Sequence, residues 1–344
     1  MQQPPSFENA TTPTYVRKLN KALYGLKQAP WAYFTKLTST LTMWDFTASK
    51  SDSSLMIYAS KGKLFSYLCW WHSCHKEQQS TYFQVHLDLH HHFALKDMGQ
   101  FHHFLGIEVI RQSTGLHLTQ TKYIEDLLTK TRMIGATPIA ISCFTSFQLS
   151  QYDGTLLENE TMYRSTVGAL QYLTISRPEI AFVVSKVNQF IHKSTDLHWK
   201  ASKRLLRYLK GTMHYGLFIT LASQLDLVAY SDVDWASNPD DRKSTSGCCI
   251  YLGSSLVSWG AKKQSVVSHS SAESECRWTC LDLISSYRAS GLFCQTPIIW
   301  CDNMSAFTLA TDPILHAHSK HIEPDFHFLW YKSHWQTSGY TLCS

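Results

Sequence analysis

The stretch from residue 215 to residue 310 constrains the fold most. Residues 215 to 260 alternate apolar and small polar side chains with glycine punctuation, the pattern of a meander of three strands. A helix is expected over Ser271 to Ser290, a strand over Ile298 to Cys301 and a short helix over Met304 to Ala310. Residues 215 to 330 thus read as a β-β-β-α-β-α unit, a sheet flanked by helices. Its acidic residues fall at telling places. Asp232 ends the strand that begins at Leu225, Glu275 lies on the helix with Glu273 two residues before it, and Asp302 follows the apolar run Ile298 to Cys301. Carboxylates gathered around one point repel unless cations sit between them, and two Mg²⁺ ions about 4 Å apart suit phosphodiester cleavage at such a site. Solvated carboxylates at strand ends are the ordinary alternative, and spacing alone does not choose between the two.

The preceding residues are mixed and end helical. Residues 1 to 14 are polar and proline-rich, an extended lead-in. Lys18 to Leu41 has helical spacing interrupted by Pro30, which predicts two short helices about a break. Leu55 to Tyr58 and Lys63 to Leu68 read as paired strands, while residues 69 to 80 carry no usable period. Phe101 to Ile110 and Gly115 to Leu118 read as strands, and Gln120 to Thr131 as an amphipathic helix. Three more helices are expected at Tyr163 to Ile175, Pro178 to His192 and Leu197 to Leu209.

With 344 residues, 44% of them hydrophobic, the chain has material for about two domains and a sizeable core. A charged fraction of 17% argues against disorder. No run approaches the ~18 apolar residues of a membrane helix. Met1-Gln2-Gln3-Pro4-Pro5 lacks the basic and apolar regions of a signal peptide, so a cytoplasmic or nuclear, non-secreted chain is expected. The 10 cysteines are irregularly spaced and read as free thiols. A formal charge of +5 hints at an anionic partner.

Six segments then fall in one order. They are Ala229-Tyr-Ser-Asp-Val-Asp-Trp-Ala236, Arg242-Lys-Ser-Thr-Ser-Gly247, Ser258-Trp-Gly-Ala-Lys-Lys-Gln264, Ser270-Ser-Ala-Glu-Ser-Glu275, Trp300-Cys-Asp-Asn303 and Lys320-His-Ile-Glu323. Together they resemble the ribonuclease H domain of copia-type LTR retrotransposon Pol polyproteins. Gln3-Pro-Pro-Ser-Phe7, Leu19-Asn-Lys-Ala-Leu-Tyr-Gly-Leu-Lys-Gln-Ala-Pro30, Phe93-Ala-Leu-Lys-Asp-Met-Gly99, Phe104-Leu-Gly-Ile-Glu-Val109 and Tyr163-Arg-Ser-Thr-Val-Gly-Ala-Leu-Gln-Tyr-Leu173 are similar to the reverse transcriptase of the same polyprotein. The resemblance implies an α/β (α+β) chain. Residues 1–135 would be a partial reverse transcriptase (palm remnant and thumb), disrupted at about 68–90. Residues 136–212 would be a helical connection, 213–330 a ribonuclease H-like mixed sheet, and 331–344 a tail unlike the family. It further implies Asp232, Glu275 and Asp302 as catalytic metal ligands, Mg²⁺ or Mn²⁺ as cofactor, and the RNA strand of an RNA–DNA hybrid as substrate.

The chain also departs from that pattern. The family's polymerase site needs three aspartates. One is expected upstream of the first matching segment, where the chain begins. Two are expected in a hairpin after Lys63-Leu-Phe-Ser-Tyr67, where this chain has Tyr67-Leu-Cys-Trp-Trp-His-Ser-Cys-His75. Polymerase activity is therefore expected to be lost. Reverse-translated with suitable codons and read one base over, Leu68 to Gln79 spells a Tyr-Val-Gly-Gly segment, so a frameshift is expected there; the coding DNA decides it. A late Ala-Asp is also missing beyond Glu323, with Asp325 or Glu323 as substitutes. Cys276 stands where the family usually has an aromatic, and Pro324 interrupts its segment. Two readings stay open: a low-activity hybrid endonuclease, or a catalytically dead relic with at most non-specific nucleic-acid binding.

Other features have bland alternatives. Lys200, Lys203, Arg204, Arg207 and Lys210 share a helix face that could track a phosphate backbone or simply be solvated. Lys262 and Lys263 beside Trp259 are a second candidate contact. Cys69, His72, Cys74 and His75 offer zinc-ligand chemistry, but a segment that short rarely wraps a tetrahedron. His90, His91, His92, His102 and His103 read as structural. No Gly-x-Ser-x-Gly elbow or glycine-rich phosphate loop is present. Oligomeric state is not legible.

Overall fold

The computed structural model describes residues 25–49, 53–60, 63–68, 71–74, 88–93, 102–143, 148–220, 226–277, 298–305 and 341–343. The chain divides into two compact units, Met1–Lys96 and Asp97–Ser344.

In the first unit a helix spans Ala29–Met43, with Pro30 in its opening turn. A proline there sacrifices no intrahelical hydrogen bond. The break expected at Pro30 is therefore a helix start, and residues 18–24 lie outside the described set. Leu37 and Leu41 are fully buried and pack with Phe46, Met56, Leu89 and Phe93. Four antiparallel strands follow in sheet order: β1 (Thr47–Ala48), β2 (Leu55–Ser60), β3 (Lys63–Leu68) and β4 (Trp71–Cys74). No strand was expected over residues 69–80. β4 is a short edge segment defined by pairing with β3, which needs no alternation of its own.

The second unit holds a helical group and two sheets. Helices span Thr121–Lys130, Glu160–Leu173, Ala181–Asn188 and Asp196–Gly211. Ile124, Leu128, Leu170, Leu173, Leu205 and Leu209 are fully buried in one cluster. Each such side chain contributes roughly 1.5–3 kcal/mol as an upper bound. The single helix expected from Pro178 is a 3₁₀ turn, Pro178–Ile180, followed by the shorter α-helix. Asn159 caps the second helix by accepting the Met162 N–H at 3.0 Å. Arg177, fully buried, donates to the Thr212 carbonyl at 2.9 Å and its hydroxyl at 2.6 Å, and so ties the end of the Asp196–Gly211 helix to the 3₁₀ turn.

One sheet of this unit runs β5 (His103–Phe104), β6 (Ile107–Gln112), β7 (Gly115–Thr119) and β8 (Gly216–Thr220), all antiparallel. The single strand expected over Phe101 to Ile110 is cut by a tight turn. Leu105 and Gly106 both take positive φ, +44° and +77°, which reverses the chain. The other sheet has the order β11 (Ser255–Lys263), β10 (Thr245–Leu252), β9 (Leu227–Asp234), β12 (Ile298–Cys301), β13 (Thr341–Cys343). β9, β10 and β11 form the antiparallel meander, and β12 joins β9 in parallel. The three-strand reading of residues 215 to 260 thus needs a correction. There are four strands, and the first, β8, pairs with β7 instead. Glycine makes that possible: a Cβ on Gly115 or Gly216 would sit 2.1 Å from the carbonyl oxygen of Ile219 or Leu118. The Trp259 indole donates to the Thr174 carbonyl at 2.9 Å and fixes β11 to the helical group. The architecture is mixed α/β with several sheets.

Candidate active site

β9 alternates buried Leu227 and Ala229 with exposed Tyr230, Asp232 and Asp234, so Asp232 stands on the open face. β12 lies beside it with Cys301 opposite Ser231, and Asp302 follows directly. The next group comes from the helix Ser271–Arg277, whose start is set by side chains. The Glu273 N–H donates to the Ser270 hydroxyl at 3.1 Å, and the Glu273 carboxylate accepts the His269 N–H at 2.8 Å. Gln264 donates to the Ser246 hydroxyl and to the Ser274 carbonyl, locking this helix to β10. The Asn303 amide reaches the Ser271 hydroxyl at 3.3 Å and closes the link to the end of β12. Both glutamates are buried: Glu273 caps the start of the helix, while Glu275 reaches the Ser231 hydroxyl of β9.

Glu275, Cys301 and Asp302 present ligand atoms that all lie within 4.8 Å of one another. Asp232 acts on the group electrostatically. Burial, then Asp232, then Asp302, push the Glu275 carboxyl up to about 7, against the Ser231 hydroxyl and the Val233 N–H. The Ser231 hydroxyl donates to Glu275 at 3.4 Å. No basic side chain forms an ion pair with Asp232, Glu275 or Asp302 among the described residues. Such a donor set fits a hard divalent cation. Cys301 does not add to that fit: burial and the neighbouring carboxylates raise its thiol pKa, so it stays protonated. Sequence reasoning singled out the three carboxylates and missed Cys301, Ser231 and Asn303. The signal for Cys301 was available, because strand alternation sets it opposite exposed Trp300 and on the side of buried Ile299.

The basic helix face is largely engaged within the chain. Arg204, Arg207 and Lys210 donate to the carbonyls of Cys143, Thr137 and Ala136 at 3.0, 2.7 and 2.8 Å. Lys200 pairs with Asp196 at 2.9 Å, and Lys203 lies over the Trp199 ring. Lys263 pairs with Asp241 at 2.9 Å, whereas Lys262 is exposed on β11. In the first unit β3 and β4 pair antiparallel, Leu68 with Trp71, in the segment where the family's polymerase aspartates are expected. Residues 69, 70 and 75, and the segment 306–340 with Glu323, Pro324 and Asp325, lie outside the described residues, and with them any test of the disfavoured zinc reading.

The fold is that of a reverse transcriptase-like α/β protein. The foamy viral protease–reverse transcriptase, solved in complex with an RNA/DNA hybrid, superposes with a TM-score of 0.50 at 9% identity, covering 94% of this chain and 39% of that one. A family profile described as reverse transcriptase (RNA-dependent DNA polymerase) matches residues 1–145. The retrovirus-related Pol polyproteins of transposons RE1 and RE2 from Arabidopsis thaliana are 42% and 40% identical over 96% of this chain. That of transposon TNT 1-94 from Nicotiana tabacum is 31% identical over 96%. The chain belongs to this copia-type retrotransposon Pol family. It spans about a quarter of the length of these relatives, 23% to 26%.

Proposed function

We propose that this Pol segment carries a divalent-metal site of ribonuclease H type that cuts the RNA strand of an RNA–DNA hybrid at low rate, and that its polymerase site is lost. The observation that carries the reading is the convergence of Glu275 and Asp302, with Asp232 beside them, at one end of β9 and β12 and without a basic counter-ion among the described residues. Asp232, Glu275 and Asp302 would hold Mg²⁺ or Mn²⁺, which supplies an activated water and charge stabilisation at phosphorus. The chain's own part is to hold Glu275 through the Ser231 hydroxyl and to tie the residue after Asp302 to the Glu275 helix through the Asn303–Ser271 contact. Lys262 is placed to meet backbone phosphate. The proposed loss of polymerisation rests on the sequence, which has no aspartate from Tyr67 to His75. With such a substrate, the working chain would act in the cytoplasm or nucleus.

One observation favours a second reading, a relic that binds nucleic acid without cutting it. The third ligand-bearing group within 4.8 Å is the Cys301 thiol, which adds no charge for a second hard cation. Cleavage of a labelled RNA–DNA hybrid in Mg²⁺ and in Mn²⁺, beside an Asp302→Asn variant, separates the two. Products from the RNA strand that disappear in the variant support the nuclease. Folded protein that binds the hybrid and leaves it intact establishes the relic.

A further inference from the structure

A cavity of about 210 Å³ lies in the second unit between the Ala181–Asn188 helix and the turn that follows β9, lined by none of Asp232, Glu275 and Asp302. One side of it is apolar: Phe182, Val183, Val187, Phe190 and Ala201. Its polar lining includes Ser237 and Asn238 of the turn, which contact Lys186 and Gln189 of the helical segment, and the half-exposed carboxylate of Asp234.

Two donors there are left with unused capacity. Lys186 Nζ donates to the Ser237 hydroxyl at 2.9 Å and lies over the Phe182 ring. Its other neighbour, the exposed carboxylate of Asp234, is 3.8 Å away, too far for a hydrogen bond. An ammonium has three N–H groups, so this one is under-used. Gln189 accepts from the Asn238 amide at 3.0 Å through Oε1, while its Nε2 is buried without a hydrogen-bond partner. A buried donor left unpaired costs about 1–3 kcal/mol. Burial also lowers the Lys186 pKa, opposed by Asp234 and reinforced by Lys263, so the ammonium gains from a further acceptor.

An apolar cavity of about 150 Å³ holds one benzene ring. The present cavity has room for a ring and a small head group, and its donors ask for a head that only accepts. We propose that it binds a small single-ring acid, with a carboxylate or phosphate head against Lys186 and Gln189 and the ring among Phe182, Val183, Val187 and Phe190.

The test uses the full chain and calorimetric titration with benzoate, phenyl phosphate, benzyl alcohol and inorganic phosphate. At least one of the two acids is expected to bind saturably, about tenfold or more tighter than benzyl alcohol or inorganic phosphate. Which acid binds distinguishes a carboxylate source from a phosphate one. Lys186→Met should weaken the acid about tenfold and leave benzyl alcohol unchanged. Ala201→Leu, which fills the apolar side, should abolish binding of every probe, with a cooperative melt showing that the variant is folded. If Lys186→Met does not fold, Ala201→Leu decides the outcome. Absence of saturable binding by either acid up to ~10 mM, or binding unchanged in a folded variant, overturns the proposal.

Discussion

Ser231 and Cys301 are direct partners in the parallel pairing of β9 with β12, and the next residue on each strand is an aspartate. Asp232 and Asp302 both act on the Glu275 carboxyl from there. The Ser231 hydroxyl also reaches Glu275 on the neighbouring helix, so the pair that precedes the two aspartates also touches the third acid. A slip of one residue in β12 would turn Asp302 to the other face of the sheet.

The Glu275 carboxyl titrates at about 7 in the folded chain against an ordinary 4.5. Between these values the folded state binds more protons than the unfolded state, so stability falls as pH rises across that window and stays low above it. Glu275→Gln should flatten this fall in a pH series of melting curves. Mg²⁺ at ~10 mM should raise the melting temperature more at about pH 8 than at about pH 5, because only the ionised cluster binds it.

His198 titrates in the opposite sense. Burial lowers its pKa from 6.5, against pulls from the Ser150 backbone and from Asp240, Asp196 and Asp153. The ring stacks on Phe190 at 3.9 Å and accepts the Thr195 N–H at the head of its helix. As pH falls below 6.5 the unfolded chain takes up a proton that the folded chain resists, so this contribution to stability is lost on the acid side. His198→Gln should remove that acid-side slope and cost about 1 kcal/mol of helix capping at neutral pH, read from denaturant midpoints.

Gly216 joins β8 to β7 at a point where no side chain fits. Gly216→Ala should destabilise the second unit by about 1–3 kcal/mol. Gly211→Ala, whose Cβ would meet the Pro138 side chain at 3.2 Å, should cost less, because a side-chain neighbour can shift and a paired carbonyl cannot.

The basic helix divides by function. Arg207→Ala should speed hydrogen exchange across residues 136–143, since Arg207 holds the Thr137 carbonyl. Lys200→Ala should leave that exchange unchanged. If the helix also tracks a phosphate backbone, it is Lys200→Ala that should reduce the salt slope of hybrid binding, by about one charge.

Much of this was legible in the sequence because it is periodic. The leucine faces of the Thr121–Lys130 and Asp196–Gly211 helices and the β9–β10–β11 alternation all follow from spacing. The carboxylates were legible because each sits at the end of a recognisable run. What escaped was decided by pairing across long separations. β8 left the meander because two glycines allow it to approach β7. β4 exists only through β3. Leu105 took a positive φ that Gly106 alone does not announce. Alternation along β12 puts Cys301 on the side of Ile299, but its place in the cluster also depends on the register with Ser231, which no local pattern encodes. The cationic stripe was visible, but its capture by carbonyls of residues 136, 137 and 143 depends on a segment 61 to 74 residues away in sequence.

The most direct test of the central claim is a calorimetric titration of Mn²⁺ into the full chain and into Asp232→Asn, Glu275→Gln and Asp302→Asn at about pH 8. The account predicts saturable binding by the unsubstituted chain, weakened about tenfold or more by each substitution because the three carboxylates act as one site. Mn²⁺ affinity that is undetectable, or that survives Glu275→Gln and Asp302→Asn unchanged, would contradict it.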